Sequence, residues 1–116
     1  VIVGSVNDAT FGPTLMFGLG GIFVEVMKDV TFKVAPIDEA TALDMQSEIK
    51  SSKILQGARG DSPRDQKALA DVLAHYSYMV YDLRDEIAES DANPVIVYEE
   101  GKGVAVVDAR IILTKK

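Results

Sequence analysis

The sequence predicts an α+β fold, a mainly antiparallel sheet with two helices packed on one face. Three observations predict it. β-branched apolar runs gather in two groups, one early and one late in the chain. Two stretches with helical spacing lie between those groups, and glycine-containing turns join neighbouring runs. The order ββββ-α-α-ββ separates strands from helices, as layered α+β domains do.

Each element has a local reason. Residues 1–8 read as a strand that the turn-prone Asn7-Asp8 closes. Residues 13–17 and 22–27 read as strands on either side of Gly18-Leu19-Gly20-Gly21, and Lys28-Asp29 makes a break before an alternating run over 30–35. Pro36 ends that run. Asp38 can cap a helix over 39–50, with Ala42, Leu43, Met45 and Ile49 at its apolar positions. Residues 56–61 form a loop with two glycines and Arg59. Ser62 as N-cap, Pro63 at the first helical position and Asp65 three residues after the cap predict a second helix start. Leu69, Val72, Leu73, Tyr76, Val80 and Leu83 then give one apolar stripe ending near Arg84. A hairpin over 89–110, turning at Glu100-Gly101-Lys102-Gly103, completes the order.

Composition narrows the function. At 116 residues the chain is one domain or part of a larger one, and 47% hydrophobic with 26% charged residues is ordinary for a folded, water-exposed protein. A net charge of −6 disfavours general binding to nucleic acid or to an anionic membrane surface. No cysteine is present, which excludes disulfides, thiolate zinc sites and a cysteine nucleophile and fits a cytoplasmic location. No stretch reaches the roughly 18–20 apolar residues that span a bilayer. The chain opens directly in the apolar run Val1-Ile2-Val3, which reads as a strand entered part-way, as expected of a fragment, a processed product or one domain of a longer protein.

The late hairpin carries the chemistry. Side chains alternate along a strand, so Glu89, Asp91 and Asn93 share one face, and Asp108 and Arg110 share one face of the partner. A two-residue loop sets Asn93 against Asp108 or Arg110, which brings acids, an amide oxygen and a guanidinium to one patch. Such oxygen donors suit Mg²⁺, which takes one or two carboxylates together with phosphate oxygens and water. The near-continuous apolar runs 95–97 and 104–107 suggest strands covered on both faces, where an unpaired charge is costly. The plainer reading also stands, because a polar sheet face toward water needs no ligand.

Other candidates are weaker. The glycines around Gly20 and Gly21 could bring backbone N–H groups to a phosphate, but a strand follows them where a P-loop would open a helix. Glu25, among apolar neighbours, faces either solvent or a polar cleft. His75, the only histidine, shares a helix face with Asp71 and reads as a surface residue paired with that acid.

Four segments in order carry a resemblance: Asp8-Ala-Thr-Phe-Gly-Pro13, Met16-Phe-Gly-Leu-Gly-Gly-Ile-Phe-Val-Glu25, Asp91-Ala-Asn-Pro94 and Val107-Asp-Ala-Arg110. Over residues 1–113 the chain resembles the β part of the ADP-forming acyl-CoA synthetases, typified by ADP-forming acetate–CoA ligase, in the C-terminal half of its ATP-grasp domain. The resemblance implies a reaction that interconverts acyl-CoA, ADP and phosphate with free acid, ATP and CoA. It implies Mg²⁺ and ATP or ADP as cofactors, with Asn93 and Asp108 as metal ligands. Gly20, Gly21 and Glu25 match the glycine-turn segment beside the phosphoryl-transfer cleft, and Arg110 is a candidate to neutralise phosphate. Implied partners are a CoA-binding α subunit or domain carrying the phosphohistidine and an N-terminal ATP-grasp subdomain, with a homo-oligomer left open. His75 matches neither of the family's histidine carriers. Two alternatives remain: a non-catalytic, ATP-grasp-like regulatory domain, and a succinyl- or malate-CoA ligase relative.

Overall fold

In a computed structural model the described residues are 1–18, 30–49, 52–55 and 63–115. Ile2–Asp8 (β1) and Gly12–Gly18 (β2) form an antiparallel hairpin, and Val30–Val34 (β3) pairs antiparallel with β2. Asp8 closes the first hairpin, because its Oδ1 accepts from Thr10 N at 2.7 Å and Phe11 N at 2.9 Å. Gly12 follows at φ +79°, in the left-handed region open to glycine. The strand expected over 22–27 lies outside the described residues.

Glu39–Glu48 (α1) starts as expected, with Asp38 Oδ1 accepting from Thr41 N at 2.8 Å. Its inner face carries Ala42, Met45 and, at the C-cap, Ile49. Leu43, expected inside, is exposed, and Gln46 takes an inner position because its Nε2 donates to Gln66 O at 2.8 Å. One turn, Ser52–Leu55 (α2), precedes the long helix Gln66–Asp82 (α3).

The start of α3 corrects the sequence expectation. The cap is Asp65, whose Oδ1 accepts from Ala68 N at 3.1 Å, and Pro63 lies outside the helix. Residues 63–65 pair with the late hairpin instead: Glu100 N donates to Pro63 O at 3.0 Å and Asp65 N to Tyr98 O at 2.8 Å. Leu69, Ala70, Leu73, Ser77 and Val80 are buried along α3, whereas Leu83, expected at the end of the stripe, is the C-cap and exposed.

Ile87–Ala92 (β4) pairs antiparallel with β1, and Ala109–Leu113 (β7) pairs with β4, giving the sheet order β3-β2-β1-β4-β7. Val95–Val97 (β5) and Val104–Val106 (β6) form a separate two-stranded sheet. The two pairings belong to one hairpin in one register, since Ala92 faces Ala109 and Val95 faces Val106. Pro94 interrupts it, having no N–H to give the ladder. Glu100 and Gly101 sit at the tip, where Lys102 N donates to Glu99 O at 2.9 Å and Gly101 takes φ +87°.

The register sorts the five-stranded sheet into two faces. Val3, Leu15, Phe17 and Ala92 share the face that packs on Ala42, Met45, Leu69 and Leu73, so both long helices cover one side. Burying a side chain of this size stabilises by about 1.5–3 kcal/mol. The opposite face is open, with Val6, Phe32, Val34 and Ile112 exposed.

Candidate functional site

The open face is organised in rows. Phe32 pairs with Met16, Met16 with Gly4, Gly4 with Asp91 and Asp91 with Arg110, so one row crosses all five strands. The adjoining row runs Val34, Thr14, Val6, Glu89 and Ile112. Over the Gly4 row lies a depression of about 180 Å³ whose lining includes Ile2, Gly4, Met16, Glu89, Asp91 and Arg110. A glycine inside a strand gives up side-chain packing and marks a place where something approaches closely. Here an added Cβ would meet Ser90 O at 3.2 Å and the Met16 methyl at 3.4 Å.

Arg110 reaches across the strand pair to Asp91. Its Nη2 donates to Asp91 Oδ2 at 3.0 Å and its Nε to the same oxygen at 3.3 Å. Asn93 and Asp108 meet just beyond the assigned ends of β4 and β7. Asn93 N donates to Asp108 O at 3.0 Å, which continues the ladder by one step and sets the two residues opposite each other. The hairpin geometry therefore sets Asn93 against Asp108 and Asp91 against Arg110. Asp108 Oδ1 accepts from Ala109 N at 2.9 Å, and the Asn93 side-chain amide bonds to none of the described residues. Neither Asn93 nor Asp108 lines the depression.

Two expectations need correction or limits. The late apolar runs are not covered on both faces: Ile96 is 40% exposed, Val106 51% and Val107 62%, while Val95 is buried and Val97 and Val104 pack against the core. Gly20, Gly21 and Glu25 lie outside the described residues. Among those residues, no group of three or more His, Asp or Glu is gathered to hold a metal by itself. An amide oxygen and one carboxylate supply two donors, which suits a Mg²⁺ that keeps waters and phosphate oxygens as its other ligands. His75 is a surface residue, as its spacing predicts, with Nδ1 3.3 Å from Asp71 Oδ1.

Sequence reasoning missed Gly4 and the bond that joins Asp91 to Arg110. A lone glycine inside the apolar run of β1 was the available signal for the first.

The model of the ATP-grasp domain family matches residues 1–113. The chain belongs to the ATP-grasp domain family. The β subunit of acetate–CoA ligase [ADP-forming] II from Pyrococcus furiosus is 56% identical over 113 residues, covering 97% of this chain and 48% of that protein. The 4-hydroxybutyrate–CoA ligase [ADP-forming] of Nitrosopumilus maritimus is 49% identical over 111 residues, covering 96% of this chain and 16% of its own length. Among solved structures, the dinucleotide-forming acetyl-coenzyme A synthetase 1 of Candidatus Korarchaeum cryptofilum, in complex with coenzyme A and Mg-AMPPCP, superposes with a TM-score of 0.90. It is 50% identical, over 97% of this chain and 52% of that one. A Pyrococcus horikoshii protein superposes with a TM-score of 0.94 at 51% identity, over 99% of this chain and 48% of that one. This ATP-grasp domain thus spans about half the length of the β subunit it matches. Among the described residues, no helix of the domain is long and apolar enough to cross a membrane.

Proposed function

We propose that this ATP-grasp domain is the nucleotide- and Mg²⁺-binding part of an ADP-forming acyl-CoA ligase. The ligase would couple acyl-CoA, ADP and phosphate to free acid, ATP and CoA. The observation that carries the reading is the backbone pairing of Asn93 with Asp108 one step from the Asp91–Arg110 pair, in a chain 56% identical to an acetate–CoA ligase β subunit. Asn93 and Asp108 would hold Mg²⁺, which supplies charge neutralisation to the nucleotide phosphates. Arg110 would bind phosphate oxygens with the N–H groups that Asp91 leaves free. The open sheet face would receive the nucleotide, with the preceding ATP-grasp subdomain closing over it. The phosphoryl group would pass to a phosphohistidine carried by a CoA-binding α subunit or domain, in the cytoplasm.

The acid is selected elsewhere in such an enzyme. Relatives named for acetate, 4-hydroxybutyrate and trans-ferulate keep this segment at 56%, 49% and 35% identity. Asp108→Ala in the complete ligase tests the reading. The expected result is at least a hundredfold loss of ATP formation with unchanged circular dichroism, on the scale of losing one transition-state charge contact. Turnover within twofold of wild type would overturn it.

A further inference from the structure

We propose that β7 pairs edge to edge, antiparallel, with β7 of a second copy of this chain, about a two-fold axis at Ile111. The pairing does not depend on the nucleotide reading, since it concerns the rim of the sheet and not its open face. β7 ends the order β3-β2-β1-β4-β7, and all five of its residues are exposed. On either side of the strand the backbone faces β4 at even positions: Asp108 O accepts from Asn93 N at 3.0 Å, and Thr114 N donates to Glu86 O at 2.8 Å. Alternate residues of an antiparallel strand turn their backbone groups to opposite sides, so Ala109, Ile111 and Leu113 aim theirs away from the sheet. A bare edge of this kind is a template for another strand. The opposite edge strand, β3, carries Lys33, tied to Glu48 at 3.2 Å, the kind of charge that blunts an edge. The charge on β7, Arg110, is held on the open face by Asp91, while the helix side presents Ile111 and Leu113, 51% and 66% exposed.

Helix width explains why this edge is left bare. Helices are about 10 Å across and strands about 4.8 Å apart, so α1 and α3 cover roughly four of the five strands. Tyr76 on α3 bonds to Ser90, and Ser90 pairs with Ile111, so β7 is the strand left beyond that helix. The same helix carries an open groove of about 510 Å³ at Val72, Tyr76 and Met79. A second copy fits the edge because the strand is complementary to itself. With Ile111, the middle residue, on the axis, Ile111 meets Ile111, Ala109 meets Leu113 and Arg110 meets Ile112 of the other copy. That mutual pairing is what a two-fold interface requires. Each outward backbone group then finds an outward partner, and the helix sides of both sheets stay on one side. A slip by one residue would set outward groups against inward ones. A register opposing Arg110 to Arg110 would place like charges side by side, which destabilises a sheet.

Disulfide trapping in the complete protein tests the pairing, because this chain has no cysteine of its own. Opposed residues of a hydrogen-bonded pair have Cα atoms about 5.5 Å apart, within disulfide reach. Under mild oxidation Ile111→Cys should convert most of the chain to a covalent dimer. It should do so roughly tenfold faster than Leu113→Cys, whose two copies would each face Ala109 instead. Ala109→Cys combined with Leu113→Cys should cross-link as well, which keeps the test decisive if Ile111→Cys lowers the melting temperature. Leu43→Cys, on the exposed side of α1, measures chance collision. The unmodified complete protein should sediment with at least two copies of this chain. Sedimentation with a single copy overturns the proposal, as does the absence of a covalent dimer from both the Ile111→Cys and the double variant. Equal rates for Ile111→Cys, Leu113→Cys and Leu43→Cys overturn it too, because collision alone would then account for the link. A link from Ile111→Cys to a different subunit would show that β7 receives a foreign strand, and overturns the second copy as its partner.

Discussion

Asp65 joins the start of α3 to Gly103 at the base of the hairpin tip. Its Oδ2 accepts from Gly103 N at 2.7 Å while its Oδ1 caps the helix at Ala68 N. These backbone hydrogen bonds, that to Ala68 first and that to Gly103 second, hold the Asp65 carboxyl below its usual range. A depressed carboxylate stabilises the fold fully above its unfolded value of about 3.9 and ceases to as pH falls through the folded value. Asp65→Asn keeps an acceptor for the cap but turns an amide N–H₂ toward the Gly103 N–H. Its melting temperature at neutral pH should fall by several degrees, on the order of 5 °C. The gap to wild type should narrow below about pH 4. Melting curves across pH check this, and a pH-independent gap would count against the charged role.

The same contact explains what could be read from the sequence and what could not. Strands β1, β2 and β3 and the Asp38 cap were legible, because their signals are local: alternation, Pro36, and an acid three residues before Thr41 N. The helix start at Ser62 was also a local signal, and it failed because residues 63–65 are drawn into pairing with the hairpin near Glu99 and Tyr98. Leu43 is exposed and Gln46 buried for a similar reason, since Gln46 reaches the Gln66 carbonyl twenty positions away. At the site, hairpin arithmetic left Asn93 opposite Asp108 or Arg110, and the ladder chooses Asp108. The row Met16, Gly4, Asp91, Arg110 did not follow from that arithmetic, because it needs β1 to lie beside β4, a pairing of Gly4 with a residue far along the chain. Exposure of Val106 and Val107 was missed for a physical reason too: an apolar run announces burial, but only part of this one, at Val104, packs against the core.

Leu73 anchors α3 to the sheet and is fully buried in the core with Phe17 and Met45. Leu73→Ala should destabilise by about 2–5 kcal/mol, the lost transfer energy plus the cavity left behind. Exposed Leu43→Ala should cost less than about 1 kcal/mol by comparison, as surface substitutions do. Urea denaturation of the two variants side by side checks the assignment of the helix faces.

Tyr76 closes a chain of hydroxyls beneath the sheet. Its hydroxyl bonds to Ser90 Oγ, which lies 2.6 Å from Ser5 Oγ. Burial pushes the Tyr76 hydroxyl above its ordinary range, against the opposing effect of its Ser90 and Ser5 partners. A raised value means that its contribution is complete below about pH 10 and is lost as pH rises through the folded value. Tyr76→Phe should cost about 1 kcal/mol at neutral pH, since Ser5 and Ser90 still satisfy each other. Its stability should then decline less than that of wild type in alkali. Denaturant titrations at pH 8 and pH 11 provide the comparison; parallel declines would show that Tyr76 does not titrate with unfolding.

Asn93 and Asp108 face each other through their backbones, yet their side chains differ in what they could give a cation. The carboxylate brings charge, whereas the amide brings only an oxygen dipole, so loss of Asn93 should weaken the metal without abolishing its role. Asn93→Ala in the complete ligase should raise the Mg²⁺ concentration for half-maximal rate on the order of tenfold, while saturating Mg²⁺ restores most of kcat. Asp108→Ala should not be restored in that way, because a missing charge changes the stabilisation of phosphate as well as the affinity for the ion. Mg²⁺ titrations of ATP formation in both variants separate the two roles. An unchanged titration in Asn93→Ala would remove the amide from the ligand set and leave Asp108 with Arg110 as the groups that meet the phosphates.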